Sequence, residues 1–265
     1  MKYLILNYGQ YRHATIYFEH NIKQIRSQLN SNDTLDICIL SQYESDRDRQ
    51  NYLEQFINNT LLANNCNLIF LKYIEEYKDD IYEVENKIQE NYDNYISNSD
   101  IKNGADLHSK FVCKLWYRKY FLNVLSKRFI TTNYDYVFLT RLFDTKLEII
   151  KPFDFLKNQT NTLYYAHDTT FIGSPDIIDK LLEFGKDMYS NLRVHKEMLI
   201  DVDFLKEFNK QDRCLSECNA IYSSEMQICN FIYYNIPNSI NIRYDFTDLE
   251  ERYQEKAYID IRIVR

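Results

Sequence analysis

Glycine and proline are scarce, with 4 and 3 among 265 residues. No glycine-rich loop follows the first apolar segment and no GK[ST] triplet appears there. This counts against a P-loop protein and against other Rossmann-like enzymes such as methyltransferases. With so few, each glycine or proline marks a backbone position that needs it. An excess of basic residues is also missing: 32 Lys and Arg face 39 Asp and Glu, a net charge of -7. That argues against a nucleic-acid partner. No apolar run approaches the ~20 residues that cross a bilayer. "MKYLILNYGQ" passes straight into a short strand, so the reading is a cytoplasmic chain without a signal peptide. The six cysteines form no metal-binding pattern. Cys38 and Cys113 sit in apolar segments as small hydrophobes, and Cys214 and Cys218 form a close pair with no second pair to match. A reduced compartment fits this usage, and the sequons at Asn32, Asn58 and Asn158 are chance matches in an Asn-rich chain.

What the chain does hold is an ordered core, with 45% hydrophobic and 15% aromatic residues. Strand-like and helix-like segments alternate. Strands are predicted at 2–8, 35–41 and 67–73, with helical patterns at 13–29 and 49–65 between them. That alternation implies βαβ units and a mostly parallel sheet. A polar, tyrosine-rich surface helix is expected over 75–100. A long helix over 109–129 carries a stripe of Val112, Leu115, Trp116, Phe121, Leu122 and Leu125. It feeds the apolar strand "YVFL" (136–139). A short strand at 162–167, helices near 175–190, 195–209 and 222–234, and a strand at 239–244 complete the pattern. The fold class expected is α/β: a single Rossmann-like domain with a mostly parallel central sheet flanked by helices and a helix-rich C-terminal third. Residues 1–150 and 151–246 form its two halves, and 247–265 a charged tail without an assigned place.

In open α/β sheets ligands bind beyond the carboxyl ends of the strands. The first strand delivers "NYGQYRH" there. Gly9 permits a sharp turn or a close approach, and Arg12 near a helix start suits phosphate; a plain turn with a surface Arg reads equally well. The mid-chain strand delivers Arg141 and Asp144 in "YDYVFLTRLFDTKLE", as an ordinary surface ion pair or as site residues. A polar cluster, "HDTTFIGSPDIID", follows. Ser174, Pro175 and Asp176 fit helix-start rules, and His167 reads as a core histidine, while Asp168 is explained by neither. The triplets Asp46/Asp48 and Asp201/Asp203 precede or interrupt helical patterns and are set aside.

"GQYR", "YDYVFLTRLFD" and "HDTTFIGSPDIID", in that order, resemble GT-A-type glycosyltransferases. These are the capsule, lipopolysaccharide and surface-glycan enzymes of bacteria, protists and giant viruses. "SSEMQICNFIYYN" matches a later element of that family in which an acidic residue, here Glu225, opens a helix. The resemblance spans about residues 2 to 235 and rests on the order and spacing of short motifs. One departure stands out: the family places a single residue between Arg and Asp, and here Leu142 and Phe143 both intervene. An extra residue is expected to rotate Asp144 relative to Arg141.

The resemblance implies a GT-A fold and transfer of a sugar from a nucleotide-sugar, UDP-sugar favoured, to a glycan or glycoconjugate acceptor. Gly9, Gln10, Arg12, Lys114 and Arg141 would bind the donor, and Asp144 would hold Mn²⁺ or Mg²⁺. Asp168 or Glu225 would be the catalytic base, with Asp168 favoured because it closes a strand. Tyr8 or Tyr11 is a candidate for stacking on the base, though with 24 tyrosines present the sequence singles out neither. The alternative reading is a catalytically degenerate relative that binds a glycan or a partner.

Overall fold

The computed structural model describes residues 1–97, 107–144, 146–149, 161–166, 170–190, 228, 231–232, 235–241 and 261–264. Its contacts divide the chain into two compact units.

The first unit comprises Met1–Tyr77, Leu122–Ile178 and Asn238–Arg265. It begins with β1 (Lys2–Tyr8), α1 (Ala14–Ser27), β2 (Thr34–Ser41), α2 (Arg47–Ala63) and β3 (Asn67–Tyr73). These elements lie within two residues of their expected bounds. β1 is buried from Tyr3 onward, as a central parallel strand covered on both faces must be. Asp46 ends its extended run by accepting hydrogen bonds from Asp48 N and Arg49 N, which starts α2. The first DxD triplet is therefore a helix cap. α1 turns Ala14, Phe18, Asn21, Ile22 and Ile25 inward, a stripe in which one residue is polar.

A short 3-10 turn at Ile74–Tyr77 precedes α3 (Lys78–Ser97), and α4 (Leu107–Phe129) leads into β4 (Tyr136–Thr140). Then come β5 (Lys146–Ile149), β6 (Leu163–Ala166), β7 (Thr170–Gly173), α5 (Pro175–Ser190), β8 (Ser239–Asn241) and β9 (Ile261–Val264). The main sheet runs β3-β2-β1-β4-β7-β6-β8. Among the described strands of this sheet only β7 runs against the others, since it pairs antiparallel with both β4 and β6 while the remaining pairings are parallel. The α/β, mostly parallel architecture expected from the sequence is what the chain forms. The four residues of β7 are all buried, a strand too short to show a period. The expected helices at 195–209 and 222–234 fall largely outside the described residues. In the tail, β9 pairs antiparallel with β5, from Lys146↔Val264 to Ile149↔Ile261.

The order of strands fixes where a site belongs. From β1 the chain winds through α1 to β2 and through α2 to β3, all on one side of β1. It then returns to lay β4 on β1's other side. The crevice at the carboxyl ends of β1 and β4 is thus the topological switch point, where ligands of such sheets bind.

The second unit comprises Lys78–Phe121 and Asp179–Pro237. Arg118 grips the carboxylate of buried Glu85 with two nitrogens. Trp116 meets Phe184 edge-on at 5.3 Å between ring centres, and the Lys119 ammonium lies 4.0 Å above the Trp116 ring. A Cβ at Gly185 would fall 2.3 Å from the Trp116 carbonyl oxygen, so α4 and α5 cross with their backbones too close for any side chain there.

Candidate functional site

Every residue of β4 is buried, and Asn7 of β1 stands in register with Thr140, so the two strands end together. The chain leaves β4 in a four-residue turn closed by Asp144 N donating to Arg141 O at 3.4 Å. The middle residues, Leu142 and Phe143, are fully buried. Phe143 packs against Tyr11 at 5.0 Å and Phe18 at 5.2 Å between ring centres. Sinking these two side chains leaves the first and fourth residues of the turn facing each other. Arg141 donates to Asp144 Oδ2 from Nη2 at 2.6 Å and from Nε at 3.2 Å. The extra residue therefore does not part the two charges. It lets the turn complete itself, with an apolar pair as anchor.

The Asp144 side chain is only 10% exposed, and its Oδ1 is buried without a hydrogen-bond partner. A buried carboxylate oxygen left unsatisfied is costly. It is a hard oxygen donor with no competing proton donor, which suits a divalent cation. Mg²⁺ typically takes one or two protein carboxylates and completes its shell with water and phosphate oxygens. Among the described residues no group of three or more His, Cys, Asp or Glu comes together, so the fit is to a one-carboxylate site completed by ligand oxygens.

The loop after β1 lies directly against this turn. A Cβ on Gly9 would come 3.3 Å from Asp144 Oδ2. Among the described residues no glycine has a positive φ, so close approach rather than turn geometry explains this one. Ser41 Oγ donates to Gly9 O at 2.8 Å, tying the loop to the end of β2. Gln10 and Arg12 are exposed. Gln10 bonds Gln42 and accepts from Arg12 Nε at 2.7 Å, which orients the guanidinium.

Tyr8 and Tyr11 are buried, and neither offers a ring to a ligand. Tyr11 instead donates to Tyr73 Oη at 3.0 Å, and Tyr73 donates to Glu54 at 2.6 Å. Burial pushes the Tyr11 hydroxyl up to about 12, against the lowering effect of its bond with Tyr73. Tyr73 is raised further, by burial first and then by its bond to Glu54. Above this network Tyr43, 49% exposed, stacks on Tyr73 at 4.1 Å. Its backbone N is held by Glu75 at 3.1 Å. Tyr43 is an available aromatic face at the carboxyl edge of β2.

Of the residues singled out from the sequence, Gly9, Gln10, Arg12, Arg141 and Asp144 come to the β1–β4 edge of the first unit. Lys114 lies on α4 in the second unit, half-buried. Asp168 and Glu225, like His167 and the Asp201/Asp203 triplet, lie outside the described residues. Cys38 and Cys66 are buried free thiols, raised by burial to about 12 and about 11, and so are poor nucleophiles. Sequence reading passed over Asn7, Asn21, Gln42 and Tyr43. The one signal for Asn21 was an amide inside an otherwise apolar stripe with Phe18, Ile22 and Ile25.

No family model and no curated protein sequence matches the chain. Among solved structures it is similar to apo mouse xyloside xylosyltransferase 1, with a TM-score of 0.38 and 8% identity, over 91% of this chain and 85% of that chain. Identity this low carries no residue of that protein onto this one.

Proposed function

We propose that the chain is a nucleotide-sugar-dependent glycosyltransferase of GT-A type acting on a glycan or glycoconjugate acceptor. The observation that carries this reading is the pairing of Arg141 with a buried, half-unsatisfied Asp144 at the β1–β4 switch point, in van der Waals reach of Gly9. In this reading the Gly9 backbone lets the donor diphosphate approach, and Arg141 and Arg12 hold its oxygens as forked donors. Gln10 aims Arg12, and Tyr43 supplies a flat face for the base, uracil favoured. Asp144 Oδ1 would hold Mn²⁺ or Mg²⁺, which when bound would supply charge neutralisation to the departing diphosphate. Arg141 holds the Asp144 carboxylate in place through Nε and Nη2. The acceptor hydroxyl loses its proton to a carboxylate. Asp168, just beyond β6, is the first candidate and Glu225 the second.

The test is a panel of UDP-, GDP- and TDP-sugars screened for binding and hydrolysis with and without Mn²⁺. Metal-dependent turnover of one donor is expected. Absence of any binding abandons the reading. Binding without turnover selects the alternative, a degenerate relative that holds its ligand but transfers nothing. The Arg141–Asp144 ion pair, which already occupies one carboxylate oxygen, is the observation in that alternative's favour.

A further inference from the structure

The Asp144 turn is held from beneath by two buried amides that the proposed chemistry does not use. Asn21, in the middle of α1, is fully buried. It donates from Nδ2 to Leu142 O at 2.9 Å and accepts at Oδ1 from Leu147 N at 2.7 Å. Asn7, also fully buried, accepts from Leu142 N at 2.7 Å. The Leu142 residue is thus gripped at both its N–H and its C=O, and Asn21 staples it to the first residues of β5. Asp144 lies between the two stapled points.

Neither amide is what core stability would choose. Asn21 occupies a stripe position flanked by Phe18, Ile22 and Ile25, where an aliphatic residue forms helix better and buries more apolar surface. Asn7 Nδ2 is buried with no hydrogen-bond partner, a standing cost in the core. What the two residues accomplish together is to fix the backbone two residues before Asp144 and three residues after it.

We infer that Asn21 and Asn7 are positioning residues that hold the Asp144 carboxylate in register with Gly9 and Arg141. The inference rests on the proposed function and adds to it two residues that touch neither donor nor metal. A cation held by a single protein carboxylate has no other protein ligand to correct a misplaced one, so the backbone beneath that carboxylate must supply the precision.

The experiment compares full-length wild type with Asn21→Asp, which keeps the acceptor for Leu147 N and loses the donor to Leu142 O. Amide hydrogen exchange over 141–148 and metal-dependent donor turnover per folded molecule are both read. Exchange in that segment is expected to quicken by about tenfold while the rest of the sheet stays protected. kcat/KM is expected to fall roughly 10–100-fold, and half-saturating Mn²⁺ to rise by about tenfold, as for other groups that orient a metal ligand. Gln24→Ala, one turn along α1, removes only a 3.4 Å bond to Ile149 N and should leave both readouts unchanged. If Asn21→Asp does not fold, Asn7→Ala carries the same measurements. Unchanged exchange, turnover within about twofold of wild type, an equal loss in Gln24→Ala, or failure of both asparagine variants to fold each overturns the inference. A wild-type chain that turns over no donor overturns the proposed function, and the inference falls with it. An active wild type with unaltered asparagine variants sinks the inference alone.

Discussion

Two stretches meet at the candidate site and are built on opposite plans. In the turn 141–144 the two middle side chains are fully buried and the outer two form a bonded ion pair. Buried asparagines clasp the backbone below. In the strand-end loops 9–12 and 41–43 the backbone is tied down by Ser41 and by Tyr11 in the core, while Gln10, Arg12 and Tyr43 face solvent. A charge that must sit at one point needs the first plan, because a carboxylate displaced by an ångström loses most of its effect on chemistry. A long, many-atomed ligand is better met by the second, with exposed polar and aromatic groups that adjust to it.

The strongest way to break this contrast is at Asp144. Asp144→Asn keeps the size of the side chain and removes its charge. Donor turnover should fall by roughly 100-fold or more with the circular dichroism spectrum unchanged, and wild-type turnover would remove Asp144 from the chemistry. Next comes the contact between the two stretches. Gly9→Val places branched carbon where Asp144 Oδ2 lies 3.3 Å from a hypothetical Cβ. Displacing the carboxylate should reduce kcat by about tenfold or more, with a loss in melting temperature no larger than a surface substitution gives. A normal kcat would mean the loop simply moves aside.

A smaller effect belongs to the adaptable side. Tyr43→Ala should raise the donor KM by about tenfold, in line with ~1–3 kcal/mol for stacking of one base, and leave kcat alone, whereas Tyr43→Phe should match wild type. Equal losses in kcat and KM would place Tyr43 in the chemistry instead.

The smallest effect is on pH. The Tyr11 hydroxyl stands at about 12 in the folded chain against 10.0 ordinarily. Its contribution to stability is therefore complete below pH 10 and is lost as the pH climbs toward 12, because the unfolded chain gives up the proton first. Chemical denaturation followed from pH 8 to 11.5 should show a flat region and then a decline, and the decline should be shallower in Tyr11→Phe.

Much of the first unit could be read from the residues. The strands 2–8 and 35–41 are apolar enough, and the helix between them periodic enough, that local pattern and tertiary burial agree. The same patterns marked Gly9, Arg12, Arg141 and Asp144 as strand-end residues. Short antiparallel pieces escaped: β5, β7 and β9 have four residues each, and a strand of that length is defined by its partner rather than by its own period. Tyr8 and Tyr11, the two candidates for stacking on a base, are buried; composition cannot tell a buried tyrosine from a solvent-facing one. Tyr43 was missed for the same reason.

By itself, then, the sequence determined the βαβ winding, the sheet's parallel character and the residues standing where strands end. Local hydrophobic periodicity and the scarcity of glycine and proline suffice for that. Only the tertiary structure decided whether Arg141 and Asp144 would meet. With Leu142 and Phe143 between them, a linear pattern predicts rotation apart. The core offers both apolar side chains a place beside Tyr11 and Phe18, and their burial closes the turn that sets the two charges face to face.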